Sequence, residues 1–156
     1  MRLKTVAVAV LGFSLAVGEA LFRPDSYKSW HHVKSMVIHS EEHPLYEPFG
    51  GIHHVYANDV AFGSVKEGKG RRFPDGSVLV FLLYDINRSK GAFEEGRKKI
   101  EAFMVKDSRR FKDTGGWGFY AYDGQGRPLV RDMVKDCFSC HARVKDMDYV
   151  FSRYKE

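Results

Sequence analysis

Two cysteines and a histidine near the end of the chain have a spacing that supports a specific chemistry. Cys137 and Cys140 are separated by two residues, and His141 follows directly. C-x-x-C-H is the pattern of c-type haem attachment, in which each thiol adds to one vinyl group and the histidine binds the iron. The three-residue step also places both sulfurs on one face of a helical turn. We therefore predict one covalent haem c per chain, held by Cys137 and Cys140, with His141 as the iron ligand.

Other roles for a closely spaced cysteine pair fit this chain less well. A thioredoxin-like pair opens a helix after an early strand of a βαβ unit, whereas this pair lies near the C-terminus. A structural zinc site needs two further ligands, and the chain has no other cysteine. Two cysteines three positions apart also exclude a disulfide scaffold. Covalent haem is the interpretation that remains.

The position of the motif near the C-terminus limits which residues could bind the iron on the side opposite His141. Met147 is the only methionine after His141, and it follows too closely to reach around a porphyrin. A sixth ligand must therefore come from upstream, or the iron is open on that side. The upstream methionines that could serve are Met36, Met104 and Met133, although each is better interpreted as a core residue.

The first twenty residues have the pattern of a secretory signal peptide. A basic start precedes an apolar stretch over 6–17, and small residues at Gly18 and Ala20 suit a cleavage site. Twelve residues are too few to span a bilayer unaided. We predict residues 1–20 as a signal peptide and residues 21–156 as a single haem-binding domain. The mature protein is then expected in the periplasm without a membrane segment, with an uncleaved N-terminal anchor as the alternative.

Composition places the remainder among soluble globular domains. Apolar residues make up 44% of the chain and aromatic residues 14%, which is enough to fill a core. The formal charge is +5, and acidic residues are interspersed with the basic ones. No run of lysine and arginine reaches five residues, so we expect no nucleic-acid partner.

The elements that must position the motif are mostly short strands. The segment over 77–86 is the most apolar and predicts a buried central strand, and a Pro-Asp-Gly turn precedes it. Loops are predicted over 40–51 and over 63–72, the latter because it holds three glycines and four basic residues. The further strands are predicted over 33–38, 53–58, 98–106 and 116–123, and short helices over 25–30 and 136–145. This pattern favours an α+β fold over a helical bundle.

Several segments together resemble the cytochrome P-460 and cytochrome c′-beta family. They occur in the family's order along nearly all of the mature chain: HHVYAN at 53–58, FPDG at 73–76, MVKDSRRF at 104–111, GGWGFY at 115–120, CFSCH at 137–141 and DYVFSRY at 148–154. The resemblance implies a mainly antiparallel β-sheet with short flanking helices, a haem helix near the C-terminus and, usually, a homodimer.

The resemblance also separates two branches by their chemistry. Hydroxylamine-oxidising members cross-link a lysine to the porphyrin, five residues past the glycine of the F-x-D-G turn. That position is Phe81 here, and no lysine occurs over 77–86. The chain therefore looks closer to the cytochrome c′-beta branch, whose members keep a five-coordinate haem under an apolar, phenylalanine-rich cap and bind NO and CO.

The resemblance suggests residues for the distal face and leaves three functions open. Phe81 and Phe73 are candidates for the cap, with plain core packing as the alternative for each, and His53 is a candidate polar group of the pocket. The first function is capture or relay of NO, with CO as a second ligand. The others are a detoxifying enzyme that oxidises hydroxylamine or NO, and a periplasmic electron carrier. The sequence does not identify a redox partner protein.

Overall fold

The computed structural model describes residues 22–155, and its central feature is one five-stranded antiparallel sheet. The strands follow one another in the sheet in chain order, β1-β2-β3-β4-β5, so each is paired with its sequence neighbour. Their bounds are His31–Ile38 for β1, Gly51–Ala57 for β2, Val78–Ser89 for β3, Ala92–Lys106 for β4 and Trp117–Asp123 for β5. The predicted α+β class with a mainly antiparallel sheet is confirmed. The predicted signal peptide over 1–20 lies outside the described residues.

Short helical segments flank the sheet. The α-helices are α1 at Tyr46–Phe49, α2 at Asp59–Lys66 and α3 at Ser139–His141. A π-helical turn at Val134–Phe138 precedes α3, and 3-10 turns occupy Asp25–Ser29, Lys112–Thr114 and Ala142–Met147. Within the described residues, no helix has the length and apolar character needed to cross a membrane.

The long hairpin of β3 and β4 forms the middle of the sheet. Its turn consists of Lys90 and Gly91, whose φ angles are 48° and 85°. Two successive residues with positive φ are the requirement of a two-residue hairpin turn that matches the strand twist. Apolar residues fill the middle of β3, where Val80 and Leu83 are fully buried. Burial of side chains of this size contributes about 1.5–3 kcal/mol each.

The sheet buries a different hydrophobic cluster on each face. One face carries the cluster that we call the motif-side core: Val33, Val55, Ala57, Ala61, Val65, Phe73, Leu79, Trp117, Phe119 and Val150. The other face packs on Tyr27, Val78, Val80, Leu82, Phe103 and Tyr122. Cys137 packs against the motif-side core, so the C-x-x-C-H segment covers that face of the sheet.

The loop predicted over 40–51 contains α1 and, at Gly51, the start of β2. Two further predicted boundaries were wrong, and each has a local reason. The strand predicted over 98–106 begins at Ala92, because residues 92–95 pair with the end of β3. The loop predicted over 63–72 begins only after Lys66, because Asn58 caps α2 by accepting a hydrogen bond from the Ala61 amide at 3.0 Å. The same loop was expected to be solvated, yet Arg71 is 2% exposed.

Candidate haem site

Aspartate side chains organise the start of the helix that carries the motif. The Asp132 carboxylate accepts hydrogen bonds from the backbone amides of Val134 and Lys135, at 3.0 and 3.2 Å. Hydrogen bonds from these amides lower the pKa of Asp132. Capping of this kind satisfies amide groups that a helix start leaves without partners. The π-helical turn that follows contains Cys137, and α3 contains Cys140 and His141.

The two cysteines differ in their surroundings. Cys137 is half-buried against the motif-side core, and burial raises the pKa of its thiol to about 11. Cys140 is exposed. Both are free thiols in one continuous helical segment, which is the arrangement that two thioether bonds to one haem require.

The histidine of the motif is oriented by a backbone carbonyl. Nδ1 of His141 lies 2.7 Å from the carbonyl oxygen of Tyr149, to which it donates. This bond fixes the tautomer in which Nε2 carries the lone pair that binds a metal. The rings of Phe119 and Phe151 lie 4.9 and 5.1 Å from the imidazole. Burial lowers the pKa of His141 and favours the neutral, ligating form.

An unusual backbone conformation aims that carbonyl at the imidazole. Asp148 and Tyr149 have φ angles of 52° and 65°, in the left-handed region that costs about 1–2 kcal/mol per non-glycine residue. The Asp148 carboxylate accepts from Lys106 Nζ, which lies 3.0 Å from each oxygen, and from the Phe73 amide at 2.8 Å. The Asp148 carbonyl accepts from Trp117 Nε1 at 2.9 Å. Three donor groups, which make four contacts, therefore hold one residue beside the ligand segment.

A buried arginine holds the carbonyls on either side of this turn. The Arg71 guanidinium donates to the carbonyls of Met147 at 3.2 Å, Val150 at 2.5 Å and Ser152 at 2.7 Å. Sequence reasoning missed Arg71, Lys106 and Asp148. Lys106 and Asp148 lie in the MVKDSRRF and DYVFSRY segments, but nothing in either segment indicates that they pair, because they are 42 residues apart. The acceptors of Arg71 at Val150 and Ser152 are 79 and 81 residues away.

The double glycine before Trp117 has a steric reason in this site. Gly115 has a φ of 66°, and a Cβ there would overlap the Tyr149 ring. The GGWGFY and DYVFSRY segments are therefore in direct contact across the motif-side core. Trp117 lies in the motif-side core and Tyr149 packs against it. The Trp117 side chain donates to the Asp148 carbonyl, and the Tyr149 carbonyl accepts from His141.

The distal candidates Phe81 and His53 lie together on the motif-side face. Phe81 on β3 is half-buried against the motif-side core, and its ring meets the rings of His53 and Phe49 edge-on, at 5.1 and 6.0 Å. His53 is 4% exposed, and its Nε2 donates to the Phe49 carbonyl. Burial lowers the pKa of His53. Its role as a hydrogen-bond donor in the haem pocket stays a prediction. In this structure the Nε2 proton is donated to the Phe49 carbonyl.

The remaining candidates have distinct environments. Phe73 is 3% exposed, and its ring lies edge-on to Trp117 at 5.3 Å, well inside the core. Met104 and Met133 pack against the motif-side core, whereas Met36 is 38% exposed. Their predicted roles as cap or sixth ligand are not tested by these positions.

The donor set fits a c-type haem. Two thiols and an imidazole with a fixed tautomer share one helical segment, and apolar side chains from four strands form the core beneath it. Among the described residues, no group of three or more histidine, cysteine, aspartate or glutamate side chains could hold a separate metal ion. In a c-type haem the porphyrin would hold the iron, and His141 is the ligand that this segment would supply.

Comparison with known proteins agrees with this assignment. A family model described as Cytochrome P460 matches residues 24–152. A search of curated proteins found no match. The matched range contains every residue named in this site.

Proposed function

Because the chain belongs to the cytochrome P460 family, and is therefore a haem-binding cytochrome, we propose that it is an exported mono-haem c-type cytochrome whose open, apolar distal face binds NO and CO. Its role would be capture or relay of nitrogen oxides. The observation that carries the proposal is the pairing of an oriented His141 with an aromatic distal candidate, Phe81, on one face of the sheet.

Residues of this chain account for attachment. Cys137 and Cys140 would form the two thioether bonds, and His141 would bind the iron through Nε2. The haem supplies an iron that binds small diatomic molecules when one axial position is open. The chain keeps the histidine neutral and oriented, and it keeps the surrounding face apolar.

The described side chains near the distal face support an open site. The Nε2 proton of His53 is used by the Phe49 carbonyl. Phe81 offers a ring without polar atoms. NO and CO need a hydrogen-bond donor less than O₂ does, so an apolar face suits them.

The lack of a lysine on β3 supports the cytochrome c′-beta branch. The strand runs from Val78 to Ser89 without one. A detoxifying enzyme that oxidises hydroxylamine or NO is kept as the second candidate, because His53 contacts Phe81 and could serve a reacting ligand. Turnover of hydroxylamine with an added electron acceptor would favour that enzyme over gas binding.

Substitution of Phe81 tests the distal proposal. If its ring covers the iron, an incoming ligand must displace it. Phe81→Ala should then speed CO association by about tenfold, equivalent to about 1.4 kcal/mol off the barrier. Phe73→Ala is the matched comparison, because Phe73 lies in the core and should lose stability while CO association stays unchanged. Stopped-flow mixing of ferrous protein with CO measures both, and equal rates for Phe81→Ala and the unsubstituted protein would refute the cap.

Export and assembly complete the proposal. The predicted signal peptide places the mature protein in the periplasm, and the family resemblance supports a homodimer. Fractionation of expressing cells and sedimentation of the purified protein test these two statements separately.

A further inference from the structure

Buried side chains donate hydrogen bonds to successive backbone carbonyls of the segment that contains the acceptor of His141. Arg71 donates to the carbonyls of Met147 and Val150, and Trp117 donates to the carbonyl between them, at Asp148. The carbonyl of Tyr149 is directed to His141 instead. The direction of this one group therefore depends on how residues 148 and 149 are held.

The Asp148 side chain connects this segment to the sheet through an ion pair. Lys106 comes from the end of β4, and its Nζ contacts both carboxylate oxygens at 3.0 Å. It also donates to the carbonyl of Gly115 at 3.1 Å, the residue on which a Cβ would overlap the Tyr149 ring. Lys106 is 9% exposed and Asp148 is 4% exposed. A buried pair with both charges compensated fixes geometry far better than an exposed one.

We propose that the Lys106–Asp148 ion pair is a positioning unit for the proximal histidine: it keeps residues 148 and 149 left-handed, so that the Tyr149 carbonyl accepts from His141 Nδ1. A strong acceptor at Nδ1 makes the imidazole a better electron donor to a bound metal. The pair thereby strengthens the bond between His141 and iron and lowers the reduction potential. This inference rests on the proposed haem ligation by His141.

Substitution of both partners separates positioning from charge. The Lys106→Met/Asp148→Asn variant leaves the net charge unchanged and no buried ion unpaired. The matched control is Lys69→Met/Asp146→Asn, which removes a pair of the same kind, 3.6 Å apart and largely exposed, two residues from Asp148. We expect the buried-pair variant to lower the iron–histidine stretching frequency of the ferrous protein and to raise its reduction potential. The control should change neither.

The single variants separate positioning from electrostatics by the direction in which each shifts the reduction potential. An electrostatic effect alone would make Asp148→Asn raise the potential and Lys106→Met lower it, because the two remove charges of opposite sign. Positioning predicts that both raise it. Opposite shifts, or an unchanged stretching frequency in the double variant, would overturn the proposal.

Hydrogen exchange gives a readout that does not depend on the haem. The Tyr149 amide donates to the Val144 carbonyl at 3.0 Å and the Val150 amide to the Met147 carbonyl at 3.3 Å. In the buried-pair variant both amides should exchange at least about tenfold faster than in the control. Unchanged exchange would overturn the positioning claim even if the proposed function held. A protein without covalent haem would refute the proposed function, but hydrogen exchange would still decide the positioning claim. If a single variant does not fold, the double variant and its control still decide the proposal through the stretching frequency and hydrogen exchange.

Discussion

Replacing Gly115 by alanine should destabilise the protein more than a typical glycine-to-alanine change at positive φ. Two costs add at this position. A φ of 66° costs a side chain about 1–2 kcal/mol. The new Cβ would also overlap the Tyr149 ring, and overpacking of a filled site costs typically about 1–3 kcal/mol. The expected loss is therefore about 2–5 kcal/mol.

Gly91→Ala is the matched control for that change. Gly91 has a φ of 85°, and a Cβ there would meet nothing within 4 Å. It should show the backbone cost alone, about 1–2 kcal/mol. Urea unfolding of both variants, followed by tryptophan fluorescence, measures the difference between them.

Equal losses of stability in the two variants would contradict the steric explanation. If Gly115→Ala and Gly91→Ala lose the same free energy of unfolding, the Tyr149 ring does not need the space that Gly115 leaves. If Gly115→Ala loses more, the same variant should also alter the absorption bands of the bound haem, because Tyr149 carries the carbonyl that orients His141.

Three further predictions concern other parts of the molecule. Arg71→Met should destabilise the protein by about 3 kcal/mol or more, because it removes the buried donor of the Val150 and Ser152 carbonyls; Arg72→Met, at the exposed neighbour, should stay within about 0.5 kcal/mol in the same urea titration. Burial lowers the pKa of His53. On acidification the unfolded state therefore takes up a proton near the ordinary pKa of histidine, while the folded state stays neutral. Stability should therefore fall as pH drops below about 7, and His53→Gln should reduce the slope by at most about 1.4 kcal/mol per pH unit; parallel slopes from pH 7.5 to 5 would contradict this. Finally, mass spectrometry of the digested haem peptide should find two thioether links only, and a third link to any lysine would overturn the branch assignment.

The chemistry-bearing residues could be predicted from the sequence because they are local. Cys137, Cys140 and His141 form one contiguous motif, and the strand over 77–86 was marked by its own apolar run. The mainly antiparallel character of the sheet came from the family resemblance, and the structure confirms it.

The residues that position the motif could not be found in the same way. Arg71 was interpreted as part of a solvated loop because its neighbours are glycines and basic residues. Its acceptors lie at the far end of the chain, so only the folded structure reveals why it is buried. The pairing of Lys106 with Asp148 is likewise a long-range contact, with an ordinary composition around each partner.

The absorption spectrum of the ferrous protein tests the central claim most directly. The measurement is made on dithionite-reduced protein before and after addition of NO or CO. We predict a high-spin, five-coordinate haem c spectrum before the gas is added and a distinct spectrum afterwards, with the haem retained in acidified organic solvent. A low-spin ferrous spectrum before any gas is added would show that the sixth position is already filled. That result would contradict the gas-binding account and favour electron transfer.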